Sequence, residues 1–160
     1  MCGRFSVDKG LTPIVSELFN TPFNVDSNSN LSPSQSVATI IKSNSNFSQV
    51  NALWGIKPNW SKKLIINAQS ETVSSKPTFK QAFQHQRCLV PCNGWYEWRT
   101  EEGKKVKYLF EHANKMPVLV LSRDKDSWFN SSQQELESLL GHVEDRVINV
   151  QRVDGTSAIS

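Results

Sequence analysis

Apolar residues recur along this chain in two rhythms, one helical and one alternating, separated by clusters of Asn, Ser, Gly and Pro. Thr12-Pro13 predicts a helix start, with Thr12 as N-cap and Pro13 at the first helical position. Ile14, Val15, Leu18 and Phe19 form its buried stripe. The polar run 20–30, with Pro22 and repeated Asn and Ser, predicts a loop. Leu31-Ser32-Pro33-Ser34-Gln35 leads into Val37–Ile41, a strand by composition, and Val50–Trp54 is its hairpin partner across a turn at 43–48. Gly and Pro then break regular structure in Trp54-Gly55-Ile56-Lys57-Pro58-Asn59-Trp60; its tryptophans either pack inward, the commoner fate, or present a stacking face. Leu64-Ile65-Ile66 reads as a buried strand that delivers Asn67 at its end. There a rigid scaffold can place a catalytic amide, or Asn67 simply caps a turn.

The second half alternates more strongly. Residues 74–86 carry a short helix with Pro77 in its first turn and Phe79, Ala82 and Phe83 on one face. Cys88–Val90 is a short buried strand, Pro91–Gly94 a turn, and Trp95–Trp98 a strand in which Trp95 and Glu97 share one face and Tyr96 and Trp98 the other. Thr100–Gly103 is a hairpin turn, and Lys104–Phe110 returns; its lysines at 104, 105 and 107 face either phosphate or solvent. Val118–Leu121 predicts another buried strand. Ser132-Gln133-Gln134-Glu135 is a capping box for a helix through Leu140 that Gly141 ends. Val147–Val153 is the last strand, and the polar tail after Asp154 is expected to fray. No internal repeat or linker divides the 160 residues, so one domain, 1–160, is expected.

Composition narrows the classes. No run of eighteen apolar residues predicts a membrane span, and no basic segment followed by an apolar one predicts a leader. Three cysteines without a framework spacing suit a reduced, cytoplasmic setting. A net charge of +3 permits nucleic-acid binding without demanding it, and five tryptophans serve either as core or as stacking surfaces for unpaired bases.

Candidate chemistry begins at Met1-Cys2-Gly3-Arg4-Phe5. Removal of Met1, by an aminopeptidase or by the protein itself, would leave Cys2 with an α-amine and a thiol two bonds apart. These titrate near pH ~8 and ~8.5, so both are partly nucleophilic at neutrality. An aldehyde can form an imine with the amine, and the thiol can then close a five-membered thiazolidine. On these residues alone, an ordinary second residue is the commoner reading of Cys2. Arg4 is either a phosphate contact or a solvated surface residue. Glu97 amid aromatics is a candidate for a raised pKa and hence for proton transfer, with a solvated edge glutamate as the plain alternative. His85, Cys88 and Cys92 lack a standard zinc spacing and a fourth ligand, so no metal is expected, and Cys88 reads as an inert core thiol. No cofactor motif is present: there is no phosphate-cradling glycine loop and no Gly-x-Ser-x-Gly elbow.

Five segments in order carry a resemblance. They are Met1–Phe5, the Pro33 segment, Trp54–Trp60, Asn67-Ala68-Gln69-Ser70-Glu71-Thr72, and Arg87-Cys88-Leu89-Val90-Pro91-Cys92-Asn93-Gly94-Trp95-Tyr96-Glu97-Trp98. Together, from residue 1 to about Phe110, they resemble the SOS response-associated peptidase family, the abasic-site processing proteins. The resemblance implies a single α+β domain with a bent, barrel-like, mostly antiparallel sheet flanked by short helices, and a positively charged DNA groove. It implies that Cys2 crosslinks to the ring-opened aldehyde of an abasic site in single-stranded DNA. Asn67 would hold the reacting sugar or the N-terminal group, and Glu97 would act as general acid/base. Arg4 and Arg87 are similar to phosphate-contacting arginines; Pro33 and Trp60 would line the groove. The family associates this chemistry with lyase and self-processing activity. A monomer is expected, cytoplasmic and of bacterial or phage type, at the nucleoid when acting.

The sequence departs from the family pattern at two places. Gln69 stands where an arginine is usual, weakening one DNA contact. The family's His-x-x-Met-Pro segment is represented by Met116-Pro117, but Ala113 occupies the histidine position and His112 lies one residue away, so near 110–115 either the member is shortened or the sequence joins across an omitted internal stretch. His112 is therefore the weakest catalytic candidate. Two further readings stand beside crosslinking: a non-catalytic single-strand binder, and a cysteine peptidase with Cys2 as N-terminal nucleophile.

Overall fold

The computed structural model describes residues 3–112, 125–135 and 148–153. The expectations for 118–121, for 136–141, for Val147 and for the tail lie outside the described residues. Strands β1 (Arg4–Val7), β2 (Asn28–Leu31), β3 (Ser36–Ser43), β4 (Asn46–Leu53), β5 (Cys88–Leu89), β6 (Gly94–Glu101), β7 (Lys104–His112) and β8 (Ile148–Val153) alternate with helices α1 (Leu11–Phe19), α2 (Pro77–His85) and α3 (Lys125–Asn130). The fold is α+β, with short helices and antiparallel pairing throughout. The strands form two sheets, one of five strands in the order β2-β1-β6-β7-β8 and one of three in the order β4-β3-β5.

One core joins them. Phe5 and Val7 of β1, Leu31 of β2, Val37 and Ile40 of β3 and Leu89 of β5 meet Leu11, Val15 and Phe19 of α1 and Phe23 beyond it. Each element contributes the apolar phase that its period places on one side, every second residue in β1 and every fourth in α1.

Local chemistry corrects several expectations. Helix α1 starts before Thr12 because Asp8 organises the preceding turn. Its carbonyl accepts the Leu11 N–H at 3.1 Å and its Oδ1 the Gly10 N–H at 2.7 Å. Thr12 thus lies in the first turn, its buried hydroxyl without a hydrogen-bond partner. The helix ends at Asn20, whose φ of 47° is the left-handed conformation that asparagine tolerates. The predicted loop at 20–30 gives way to β2 from Asn28 onward. The turn at 43–48 contracts to Asn44-Ser45, with Asn44 at φ 55°, because β3 and β4 pair from Ser36↔Leu53 through Ser43↔Asn46.

The predicted strand at Leu64–Ile66 is the largest difference. Only Ile65 pairs, with Ile56, through two N–H···O bonds of 2.8 Å, and Ser70–Thr72 is a turn of 3-10 helix. The apolar run has no longer strand beside it because Gly55, at φ 114°, turns the partner segment away.

Candidate active site

Strand β6 is the spine of the site. Its register with β1 sets Arg4 opposite Tyr96, Phe5 opposite Trp95 and Ser6 opposite Gly94. Gly94 makes the close approach possible: a Cβ there would lie 2.5 Å from the Phe110 carbonyl oxygen on β7. Asn93 secures the entry to β6, donating its N–H to the Ser6 carbonyl at 2.9 Å and accepting the Asp8 N–H on Oδ1 at 2.7 Å. Cys2 lies outside the described residues. It precedes Arg4 by two positions, at most about 7 Å of extended chain.

Asn67 lines a cavity of about 450 Å³ with Phe5, Trp54, Trp95, Cys88 and Cys92 among its walls. Three contacts hold it. Phe5 and Trp54 pack with ring centroids 5.0 Å apart. The Trp54 indole N–H donates to the Ile66 carbonyl at 3.2 Å, anchoring the residue just before Asn67. Leu64 fills the space above Gly55, where a Cβ would meet its Cγ at 2.7 Å. The bridge Ile56↔Ile65 thus replaces the expected strand as the device that positions Asn67.

Glu97 is half-buried and lines a second cavity of about 190 Å³ with Trp98, Arg99, Tyr108, Phe110 and Val150. Trp95, a wall of the first cavity, stacks on Phe110, a wall of the second, at 5.3 Å between centroids and 18° between planes. Asn67 and Glu97, thirty positions apart in sequence, thus line two cavities whose walls are joined by one stacked pair. Tyr108, opposite Glu97 in the β6–β7 register, donates its hydroxyl to Glu101, whose carboxylate also pairs with Arg152 of β8 at 3.4 Å. The hydrogen bond to Glu101 is the main cause that raises the Tyr108 pKa.

The expected DNA contacts are distributed unevenly. Arg4, half-buried, projects from the face opposite Phe5, and its Nη1 donates to the Gly3 carbonyl at 2.8 Å. Pro33 stands in a turn tied to Trp54: the Ser34 N–H donates to the Trp54 carbonyl at 2.9 Å, and the Trp54 N–H to the Gln35 carbonyl at 3.0 Å. The two tryptophans of 54–60 divide the alternatives between them, since Trp54 packs inward while Trp60 is 73% exposed between Lys57 and Lys62. Gln69 is exposed at the start of the 3-10 turn.

Arg87 does something that its motif did not announce. Its Nη1 donates to the carbonyls of Phe83 and Gln84, and its Nη2 to those of Phe129 and Ser131, at 2.9–3.4 Å. The guanidinium closes the C-terminal end of α2 onto the end of α3, and a phosphate would have to displace these carbonyls. Cys88 is half-buried, its thiol pKa raised by burial, and its carbonyl accepts the Trp128 indole N–H at 3.1 Å. His112 closes β7 opposite Ile148. Among the described residues no cluster of three metal-ligating side chains occurs, and no helix is long and apolar enough to cross a membrane. Sequence reasoning missed the Tyr108–Glu101–Arg152 cluster. Its only signal is alternation along β6 and β7, and Arg152 arrives from a distant strand.

A family model described as SOS response associated peptidase (SRAP) matches residues 1–119. Abasic site processing protein YoqW of Bacillus subtilis is 33% identical over 118 residues, covering 65% of this chain and 50% of that protein. YedK of Escherichia coli, with the same descriptive name, is 27% identical over 128 residues, covering 75% of this chain and 58% of that one. The chain thus spans about half the length of the relatives it matches. A phage-related protein from Bordetella bronchiseptica has the same fold at 19% identity, with a TM-score of 0.79 over 95% of this chain and 94% of that one. A Bacteroides thetaiotaomicron protein gives 0.78 at 18% identity, over 96% and 93%.

Proposed function

The chain belongs to the SOS response associated peptidase family, and from that premise we propose that it processes abasic sites in single-stranded DNA through a covalent bond to Cys2. With Met1 removed, the α-amine of Cys2 adds to the C1′ aldehyde of the ring-opened sugar. The carbinolamine loses water to form an imine, and the thiol adds to the imine carbon to close the thiazolidine. Each stage moves a proton: onto the departing hydroxyl, and from the thiol to the imine nitrogen. Glu97, on the strand registered against β1, is our candidate to carry it. Asn67, aimed into the neighbouring cavity, holds the sugar or the amine in register. The same imine offers a lyase route, and removal of Met1 by the protein itself would be its minimal peptidase activity.

The observation that carries this reading is the junction of β1 and β6. The strand that begins two residues after Cys2 is registered on the strand that bears Glu97, and Phe5 and Trp95 of that junction wall the cavity of Asn67. Relatives named as abasic site processing proteins support the substrate.

Intact mass tests it. The protein, incubated with single-stranded DNA bearing one abasic site, is expected to lack Met1 and to carry a heat-stable DNA adduct absent from Cys2→Ala. Binding without an adduct would favour a non-catalytic single-strand binder. Hydrolysis surviving in Cys2→Ser without an adduct would favour the peptidase.

A further inference from the structure

The cavity beside Asn67 is larger and less polar than an opened sugar requires. It measures about 450 Å³, whereas an apolar cavity of about 150 Å³ already suffices to hold benzene. The rings of Phe5, Trp54 and Trp95 wall it together with Val37 and Val90. Among the described residues that line it, none carries a charge. Its polar groups are few. Thr39, 2% exposed, donates its hydroxyl to the Val50 carbonyl at 2.6 Å, and burial raises the Cys88 pKa and so favours the neutral thiol. Leu53 lines the cavity and is 73% exposed, so the space opens to solvent there.

Such walls suit a hydrocarbon better than a sugar. The opened sugar of an abasic site carries oxygen on nearly every carbon beyond the aldehyde. Its phosphates would leave water with no cation in the cavity to meet them. An apolar body gains instead, because its own surface and that of the walls leave water together. The reacting group is near: Phe5 is a wall, and Cys2 precedes it by three positions, at most about 10 Å of extended chain. We propose that small apolar aldehydes, with an aromatic or alkyl body lodged in this cavity, are a second substrate class of Cys2. The inference rests on the reading of Cys2 as an aldehyde-condensing residue. The α-amine adds to the aldehyde carbon, and water leaves as the imine forms. The thiol sulfur then bonds to that carbon while its proton passes to the imine nitrogen. Nothing is oxidised or reduced, and water is the other product.

The test compares two free aldehydes, 3-phenylpropanal and glyceraldehyde, by the initial rate of adduct formation in intact mass spectra. Each is given to the protein freed of Met1 and to a synthetic peptide of residues 2–5, which has the same amine and thiol without the cavity. The protein is expected to favour 3-phenylpropanal over glyceraldehyde about ten-fold more than the peptide does. Ala52→Leu, which enlarges a wall of the cavity, should cut that preference, with a melting curve to verify the fold. A second measurement needs no variant. The alcohol 3-phenylpropan-1-ol cannot condense, and it should slow the reaction of 3-phenylpropanal by occupying the cavity. A preference equal to the peptide's, or no slowing by the alcohol, would overturn the inference. Single-stranded DNA with one abasic site separates the two readings. An adduct on DNA without the apolar preference rejects this inference alone. An adduct with 3-phenylpropanal but none with DNA retains the inference and rejects the abasic substrate. No adduct with DNA or with either aldehyde rejects the chemistry of Cys2 and both readings with it.

Discussion

Single atoms decide much of this molecule. At Gly94 a methyl group would lie 2.5 Å from the backbone oxygen of Phe110, which cannot swing aside as a side chain could. Gly94→Ala is expected to destabilise by about 1–3 kcal/mol or more through forced separation of β6 from β7. At Gly103 nothing lies within 4 Å and the obstacle is the φ of 77° alone, so Gly103→Ala costs nearer ~1 kcal/mol. Urea titration orders the two; equal losses would refute the packing account. Cys88 supplies a pH dependence. Burial raises its pKa above 9.0, so the native state holds a proton that the unfolded chain has released in that range. The stabilisation is complete below the unfolded pKa and is lost as pH rises through the folded one. Stability of the wild type should therefore fall above about pH 9 more steeply than that of Cys88→Ala. Parallel curves would show that the thiol is not involved.

Among the elements, β1 and β6 carry Arg4 and Glu97, and the helices brace the sheets. Arg87 is the main brace, its guanidinium meeting two carbonyls of α2, one of α3 and that of Ser131 just past α3. Arg87→Met should lower stability by about 2–3 kcal/mol, the range for hydrogen bonds to a charged group. If its loss falls instead on DNA affinity with the melting temperature unchanged, the arginine belongs to the groove after all. The turn ahead of α1 is a lesser brace. Asp8→Ala removes the acceptor for the Gly10 N–H, and about 1 kcal/mol is expected on the scale of helix caps. The elements also show where sequence pattern sufficed. The β3–β4 and β6–β7 hairpins and helix α2 were readable because each is a local period closed by a short turn or by Pro77. The segment at 64–66 was misread because an apolar run does not say whether a partner strand lies beside it.

For the whole molecule, the joint core makes a statement about cooperativity. Ile40 of the three-stranded sheet and Leu11 and Val15 of α1 have no exposed surface, and they share one cluster with Phe5 and Val7 of the five-stranded sheet. Neither sheet keeps its buried face without the other. Tryptophan fluorescence and far-ultraviolet circular dichroism should then report one coincident unfolding transition. Two separated transitions would mean that the sheets are independent units. By itself, the sequence determined the family, the order of the motifs, the short-range hairpins and the residue types able to condense with an aldehyde. Those are matters of local period and of chemistry inherent in a side chain. Tertiary structure alone decided that Asn67 and Glu97 line cavities joined by one stacked Trp95–Phe110 pair and that Arg87 faces carbonyls. It also decided that Lys107 shares a face with Arg4. Each of these depends on which distant strand or helix lies alongside, and that is settled by burying the common core, which no local pattern encodes.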